Sequence, residues 1–213
     1  MSASAPVLFD LDGTLIDSAP SILDSMRAAF AELGCEPTCA LEPSLIGPPL
    51  MPTLRKLRGD APGGPSVDEL ASAFKAHYDR EGYRGSVVIE PMPALMDELT
   101  AQGRELYIVT NKRLHPTRLI LDHLGWTARF RAIYALDALT PPAASKGELL
   151  RHIVAQHALP AARCWYVGDR DEDAEAAAIA GLPCLRVPWG YGGDAAAAEA
   201  GLTEFHQRLL REP

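Results

Sequence analysis

Two periodicities alternate along this chain. Runs of mainly apolar residues recur at 7–11 (VLFDL), 105–110 (ELYIVT), 132–136 (AIYAL), 164–168 (CWYVG) and 184–187 (CLRV). Short runs of this kind, without regular polar alternation, suit strands buried on both faces. From the second run onward they are separated by stretches whose apolar residues return every three or four positions. Helices are predicted there over 91–102, 115–124, 146–158 and 173–180, with Gly103, Gly125 and Gly181 placed as C-terminal caps. Strand–helix alternation buries its apolar faces as a parallel sheet covered by helices on both sides. The expected fold class is therefore α/β, with a doubly wound parallel sheet (Rossmann-like) core.

The first interval breaks the alternation. From Gly13 to Arg104 the chain is far longer than the about twelve residues a crossover needs. Within it Ile22, Leu23, Met26, Ala29, Phe30 and Leu33 keep helical spacing up to Gly34, with Asp17 or Ser18 placed to cap the start. Val67, Leu70, Ala73, Phe74, His77 and Tyr78 form a second helical pattern, and GPPL and APGGP break the chain between the two. We expect an inserted all-helical cap domain over residues 16–87, and a core domain made of residues 1–15 and 88–213. The alanine-rich run 194–200 predicts a short surface helix.

Composition and charge remove several function classes. Apolar residues make up 47% and charged residues 23% of the 213, an ordinary globular balance. Twenty Lys and Arg stand against 28 Asp and Glu, a net charge of -8, whereas a nucleic-acid partner calls for a basic face. No apolar run approaches the ~18 residues of a membrane span, and the opening MSASAP lacks the basic and apolar regions of a signal peptide. The expectation is a cytoplasmic protein, monomer or homodimer, with neither nucleic acid nor membrane as partner. Cys35, Cys39, Cys164 and Cys184 have no zinc-like spacing and are expected to be reduced and structural.

Candidate chemistry gathers at strand ends. The first strand runs into Asp10-Leu11-Asp12-Gly13-Thr14. Residues i and i+2 of an extended stretch share a face, so both carboxylates can address one ligand at the carboxyl end of the sheet, where doubly wound folds bind. Gly13 lets the chain turn away sharply. On its own an Asp-x-Asp is more often a turn or a cap. Thr110-Asn111 ends the second strand, and Gly168-Asp169-Arg170-Asp171-Glu172-Asp173 ends the fourth. The Thr110 hydroxyl and the N–H groups after it suit phosphate oxygens, and Asp169 and Asp173 offer hard oxygen ligands for magnesium. Thr110 reads equally as a strand-end cap, and the acidic run as a helix start favoured by the helix dipole. Lys146 opens a helix, where a cation opposes that dipole, so another partner would have to hold it.

Taken in order, DLDGTLIDS, IVTNK, Lys146 and VGDRDEDAEAAAIAG resemble the four motifs of the haloacid dehalogenase superfamily of phosphohydrolases over nearly the whole chain. The helical insert resembles the cap of its phosphoglycolate phosphatase-like branch, and VPWGYGG is similar to a turn common there. The resemblance implies that Asp10 is the nucleophile and forms an aspartyl-phosphate, with Asp12 as general acid and then base. It implies that Thr110 and Lys146 hold the transferring oxygens and that Gly13 and Asn111 help bind the phosphate. The implied cofactor is magnesium (Mg2+), held by Asp10, the backbone carbonyl of Asp12, Asp169 and Asp173. Members that cleave carbon–halogen or carbon–phosphorus bonds lack an aspartate at the second position, so Asp12 points to phosphoesters.

The implied activity is magnesium-dependent hydrolysis of a small phosphorylated metabolite, phosphoglycolate first. Nucleotide monophosphates, pyrophosphate and a sugar-phosphate mutase reaction are the alternatives. Specificity falls to the cap: Asp17, the Ile46-Gly47-Pro48-Pro49 turn, and Arg55, Lys56 and Arg58, which could meet an anionic leaving group or simply form a solvated helix face. His77 and Tyr78 read as packing residues. A signalling receiver domain also surrounds an accepting aspartate with an acidic magnesium site, a Thr and a Lys, but carries the acceptor on a later strand and has no such insert.

Overall fold

The computed structural model describes residues 4–60, 63–191, 195–211 and 213, with the side chains of 195–200 left aside. Strands β1 (Val7–Phe9) and β2 (Ile16–Asp17) are followed by helices α1 (Ala19–Glu32), α2 (Leu50–Arg58) and α3 (Val67–Arg80). Then come β3 (Val87–Val88), α4 (Met92–Ala101), β4 (Leu106–Thr110), α5 (Leu114–His123) and β5 (Ala132–Ala135). The chain ends with α6 (Lys146–Gln156), β6 (Trp165–Gly168), α7 (Asp171–Ile179), β7 (Cys184–Arg186) and α8 (Ala195–Leu209).

Five strands form one parallel sheet in the order β5-β4-β1-β6-β7. The chain winds outward from the central β1 to one edge, then returns to fill the other, which is the doubly wound arrangement the apolar runs predict. Alternate side chains serve two cores. Val7, Phe9, Leu106, Ile108, Trp165 and Val167 pack on one face, with α4, α5 and α8. Leu8, Tyr107, Val109 and Tyr166 pack on the other, with α6 and α7. Both faces are covered, which explains why the strands show no polar alternation.

Helices α1, α2 and α3 share a core of their own, built from Ile22, Met26, Phe30, Leu54, Leu57, Leu70 and Phe74 among others. The neck differs from the helical expectation: at both ends of the insert the chain is extended, β2 pairing antiparallel with β3 through Ile16–Val88 and Asp17–Val87. Helix α3 starts at a capping box in which Ser66 and Glu69 bond reciprocally. Ser18 precedes α1 but makes no side-chain cap.

Helix α8 corrects the short surface helix expected at 194–200. Residue 194 lies outside the described residues, and the helix continues to Leu209 because Phe205 and Leu209, one turn apart, are buried in the first core. None of the four cysteines is joined in a disulfide: Cys164 is buried, Cys35 and Cys184 half-buried, and Cys39 exposed, away from any core. No described helix is long and apolar enough to cross a membrane.

Candidate active site

The carboxyl ends of β1, β4 and β6 meet at the start of α6. After Phe9 the ladder continues for one bond, the Asp10 N–H donating to the Val167 carbonyl at 2.8 Å. The chain then folds back, with Gly13 at φ +78° and its N–H on the Ile16 carbonyl at 2.8 Å. Glycine is required there twice over, since a Cβ would stand 2.6 Å from Asp169 Oδ2 and L side chains avoid that backbone region. Ser145 caps α6 by accepting the Glu148 N–H at 3.2 Å, which makes Lys146 the first helical residue.

Lys146 is buried, and its partners answer the conflict with the helix dipole. Its ammonium lies 2.7 Å from Asp173 Oδ1 and 3.1 Å from Asp10 Oδ2. Burial alone would push the ammonium down, but the two carboxylates outweigh it and hold Lys146 above its usual range. Asp173 has both oxygens engaged: Oδ1 takes Lys146, and Oδ2 accepts the N–H groups of Asp169 and Arg170, each at 3.1 Å. Asp169 Oδ2 accepts the Tyr191 N–H at 2.8 Å. Asp10 Oδ1 and Asp169 Oδ1 have no partner although both are buried.

Oxygens of Asp10, Asp169 and Asp173 lie within 4.8 Å of one another. Burial foremost, against the pull of Lys146 and with help from the neighbouring carboxylates, pushes Asp10 up to about 7. Burial likewise raises Asp169 to about 6, against the Tyr191 N–H. Crowded carboxylates that resist ionisation, with two unpartnered buried oxygens aimed among them, fit a hard divalent cation. The Asp12 carboxylate is not part of this cluster.

Asp12 is held elsewhere. Ser18 Oγ donates to its Oδ1 at 2.5 Å, and the Lys112 ammonium reaches both oxygens at 3.0 and 3.1 Å. Lys112 also lies over the Tyr78 ring, 4.7 Å from its centroid, on the cap side. Burial pulls the ammonium down, and Asp12 and Tyr78 together more than restore it. Lys112 and Ser18 lie inside quoted motifs yet carry no predicted role in the site, and from the sequence Tyr78 reads as packing alone. Ser18 and Asp12 share one motif, six positions apart, whereas Lys112 meets Asp12 from a hundred positions away, beyond any local pattern.

Thr110 is buried at the end of β4, its hydroxyl accepting the Lys112 N–H at 3.2 Å. Asn111 and Gly47 come together, the Asn111 amide donating to the Gly47 carbonyl at 3.0 Å, and both line a cavity beside Asp12. Arg55 corrects a prediction. On α2 the positions facing the insert's core are Leu50, Thr53, Leu54 and Leu57, so Arg55 and Lys56 project outward; Arg55 is exposed and does not line the cavity. Arg58 is tied to the carbonyls of Pro65 and Gly59 instead. Arg170 reaches across to the insert, donating to the Ile46 carbonyl at 2.6 Å.

An acidic cluster at the switch point of a doubly wound sheet, with a buried lysine between two of its members, decides the family together with sequence comparison. The model of the haloacid dehalogenase-like hydrolase family matches residues 7–187. The chain belongs to that family. It groups with the phosphoglycolate phosphatase-like branch, and the receiver-domain alternative falls away. A phosphoglycolate phosphatase of Xylella fastidiosa is 36% identical over 87% of this chain and 80% of its own length. A 5'-nucleotidase of Pseudomonas aeruginosa is 33% identical over 88% of this chain and 84% of its own. The tyrosine-protein kinase PtkA of Mycobacterium tuberculosis is 35% identical over 87% of this chain, which spans only 62% of that protein's length. Its solved structure superposes with a TM-score of 0.74, at 34% identity, covering 90% of this chain and 87% of the other.

Proposed function

We propose that this protein is a magnesium-dependent phosphomonoester hydrolase that works through an aspartyl-phosphate on Asp10. The observation that carries the reading is the pairing of Asp10 and Asp173 with one buried lysine, beside unpartnered oxygens of Asp10 and Asp169. One oxygen of the Asp10 carboxylate attacks phosphorus while the other stays with the ion and Lys146. Lys146 and the Thr110 hydroxyl hold the transferring oxygens. Asp12 donates a proton to the leaving oxygen and takes one from the water that later releases phosphate. Asp10, the Asp12 carbonyl and Asp169 would hold magnesium, with Asp173 fixing Lys146 and the 169–170 turn around it. The ion would supply positive charge that offsets the crowded carboxylates and the incoming phosphate.

The insert over 16–87 acts as the cap that selects the leaving group. Phosphoglycolate and nucleoside 5'-phosphates are the substrates suggested by the relatives, and a small phosphorylated metabolite in the cytoplasm is the class we assign.

Variants of the first motif test the reading. Asp10→Asn removes the nucleophile and should give neither turnover nor covalent phosphate. Asp12→Asn keeps the nucleophile but loses proton transfer, which is worth roughly 10²–10⁴ in rate. With an activated phosphoester that needs little leaving-group protonation, the Asp12 variant should accumulate phosphoryl mass on rapid quenching, sensitive to hydroxylamine. Equal labelling of both variants would show that Asp10 is not the nucleophile, and full turnover in excess EDTA would remove the metal from the mechanism.

A further inference from the structure

The cavity between cap and core carries information about the leaving group that the core motifs lack. It opens beside Asp12 and is walled on the cap side by Ile22, Met26, Leu45, Ile46, Phe74 and Tyr78. Phe74 and Tyr78 stack, with ring centroids 5.4 Å apart and planes at 10°, which gives the wall a flat aromatic stretch. Two cations line the cavity among the described residues, Lys112 and Arg113, and both are already neutralised by this chain. Lys112 is bound to both oxygens of Asp12. Arg113 forks onto Asp79 of α3, Nη1 to Oδ2 at 2.9 Å and Nη2 to Oδ1 at 2.5 Å. The Asn111 amide donates one N–H to the Gly47 carbonyl. Tyr78 turns its ring toward the Lys112 ammonium, 4.7 Å from the ring centroid, and brings a hydroxyl rather than a charge to the wall.

A carboxylate placed in this cavity would lose its water against an apolar wall and would have to compete with Asp12 and Asp79 for Lys112 and Arg113. An uncharged group with an apolar face would gain from the same surroundings. We propose that the leaving group of the substrate is uncharged and lays an apolar, flat face against Ile22, Met26 and Phe74. This rests on the phosphomonoesterase reading above and narrows it: it disfavours phosphoglycolate, whose leaving group is an anion, and favours neutral alcohols that carry a ring.

Benzyl phosphate and 2-phosphoglycolate make the comparison with two aliphatic leaving alcohols. With magnesium present, kcat/KM for benzyl phosphate should exceed that for 2-phosphoglycolate by at least about tenfold. Leu50→Arg, which places a cation without an internal partner at the cavity rim, should lower that ratio by about tenfold or more. A ratio of one or below in the unaltered protein overturns the proposal. Binding supplies a second readout that needs no chemistry: 2-phenylethylphosphonate and 3-phosphonopropionate replace the ester oxygen of each substrate by a methylene. Titration calorimetry with magnesium should find the phenyl compound the tighter ligand. Tighter binding of the carboxylate, or no binding of either, overturns the leaving-group assignment. Absence of turnover with the expected binding order would instead sink the hydrolase reading and leave the cavity's preference standing.

Discussion

Asp12 and Lys112 are nearly as buried as the acidic cluster, their side chains 10% and 6% exposed, so their contact is not a surface ion pair whose worth solvent would erase. Each is left as an uncompensated charge if the other is removed. Lys112→Met should therefore destabilise the protein by about 3–5 kcal/mol, and Asp12→Asn should also cost stability. The double variant should recover at least half of the summed loss, because an amide and a thioether need no countercharge. Denaturant unfolding of the four proteins reads this directly. Additive losses would mean that the pair is not coupled, and that Lys112 is held chiefly by its position over Tyr78. The same pair explains why Lys112 escaped the sequence reading. IVTNK was recognised as a motif, but a lysine acquires a role only through its partner, and Asp12 is a hundred positions away in the chain.

At the level of elements, the site is assembled by turns that follow strands rather than by the strands themselves. The loop after β7 closes the assembly: Trp189 Nε1 donates to the Thr14 carbonyl at 3.2 Å, the Tyr191 N–H takes Asp169, and Gly190 passes between them at φ +99°. A Cβ at Gly190 would stand 2.4 Å from the Asp169 Cβ and 2.7 Å from the Gly13 carbonyl, neither of which is a flexible side-chain end. Gly190→Ala should therefore push the first motif and Asp169 apart. The expected outcome is at least about a tenfold weaker magnesium affinity, read as the metal concentration needed to raise the melting temperature. An unchanged metal dependence would show that the loop yields without moving Asp169.

Most of this layer was legible in the sequence. Strands buried on both faces leave continuous apolar runs, and helices that cover them leave a three-to-four period, so β1, β4 to β7 and α4 to α7 were visible. Strands β2 and β3 were not, because two residues each carry no period. The phase of α2 was also missed: its basic residues were noticed, but only the alignment of Leu50, Thr53, Leu54 and Leu57 inward shows that Arg55 points away. The end of α8 was lost because an alanine run distracts from two later anchors, Phe205 and Leu209.

Across the whole molecule, cap and core meet along a seam of polar contacts, each next to a motif of the site. Arg113 follows the Thr110 segment and holds Asp79, Asn111 holds the Gly47 carbonyl, and Arg170 follows Asp169 and holds the Ile46 carbonyl. At the neck, Tyr191 Oη accepts the N–H groups of Ser18 and Ala19 at 2.8 and 2.9 Å and lies 2.9 Å from Asp17. Polar contacts of this kind hold a closed position that can be released. We therefore propose that residues 16–87 move as a lid, with hinges at the paired segments 14–18 and 84–90, and that Arg113–Asp79 is the strongest single clasp because it is bidentate. Every 1.4 kcal/mol removed from closure raises the open population about tenfold relative to the closed one. Asp79→Ala removes the clasp from the cap side, away from Asp10, Asp169 and Asp173. Hydrogen exchange should then quicken in two places that are distant in sequence, the 44–50 turn and α3, while the amides of β1, β4 and β6 keep their protection. KM should rise, and the metal concentration needed for stabilisation should not. Faster exchange confined to α3 would mean that Asp79 only stabilises its own helix, and the lid would have to be held by the Ile46 and Gly47 contacts instead.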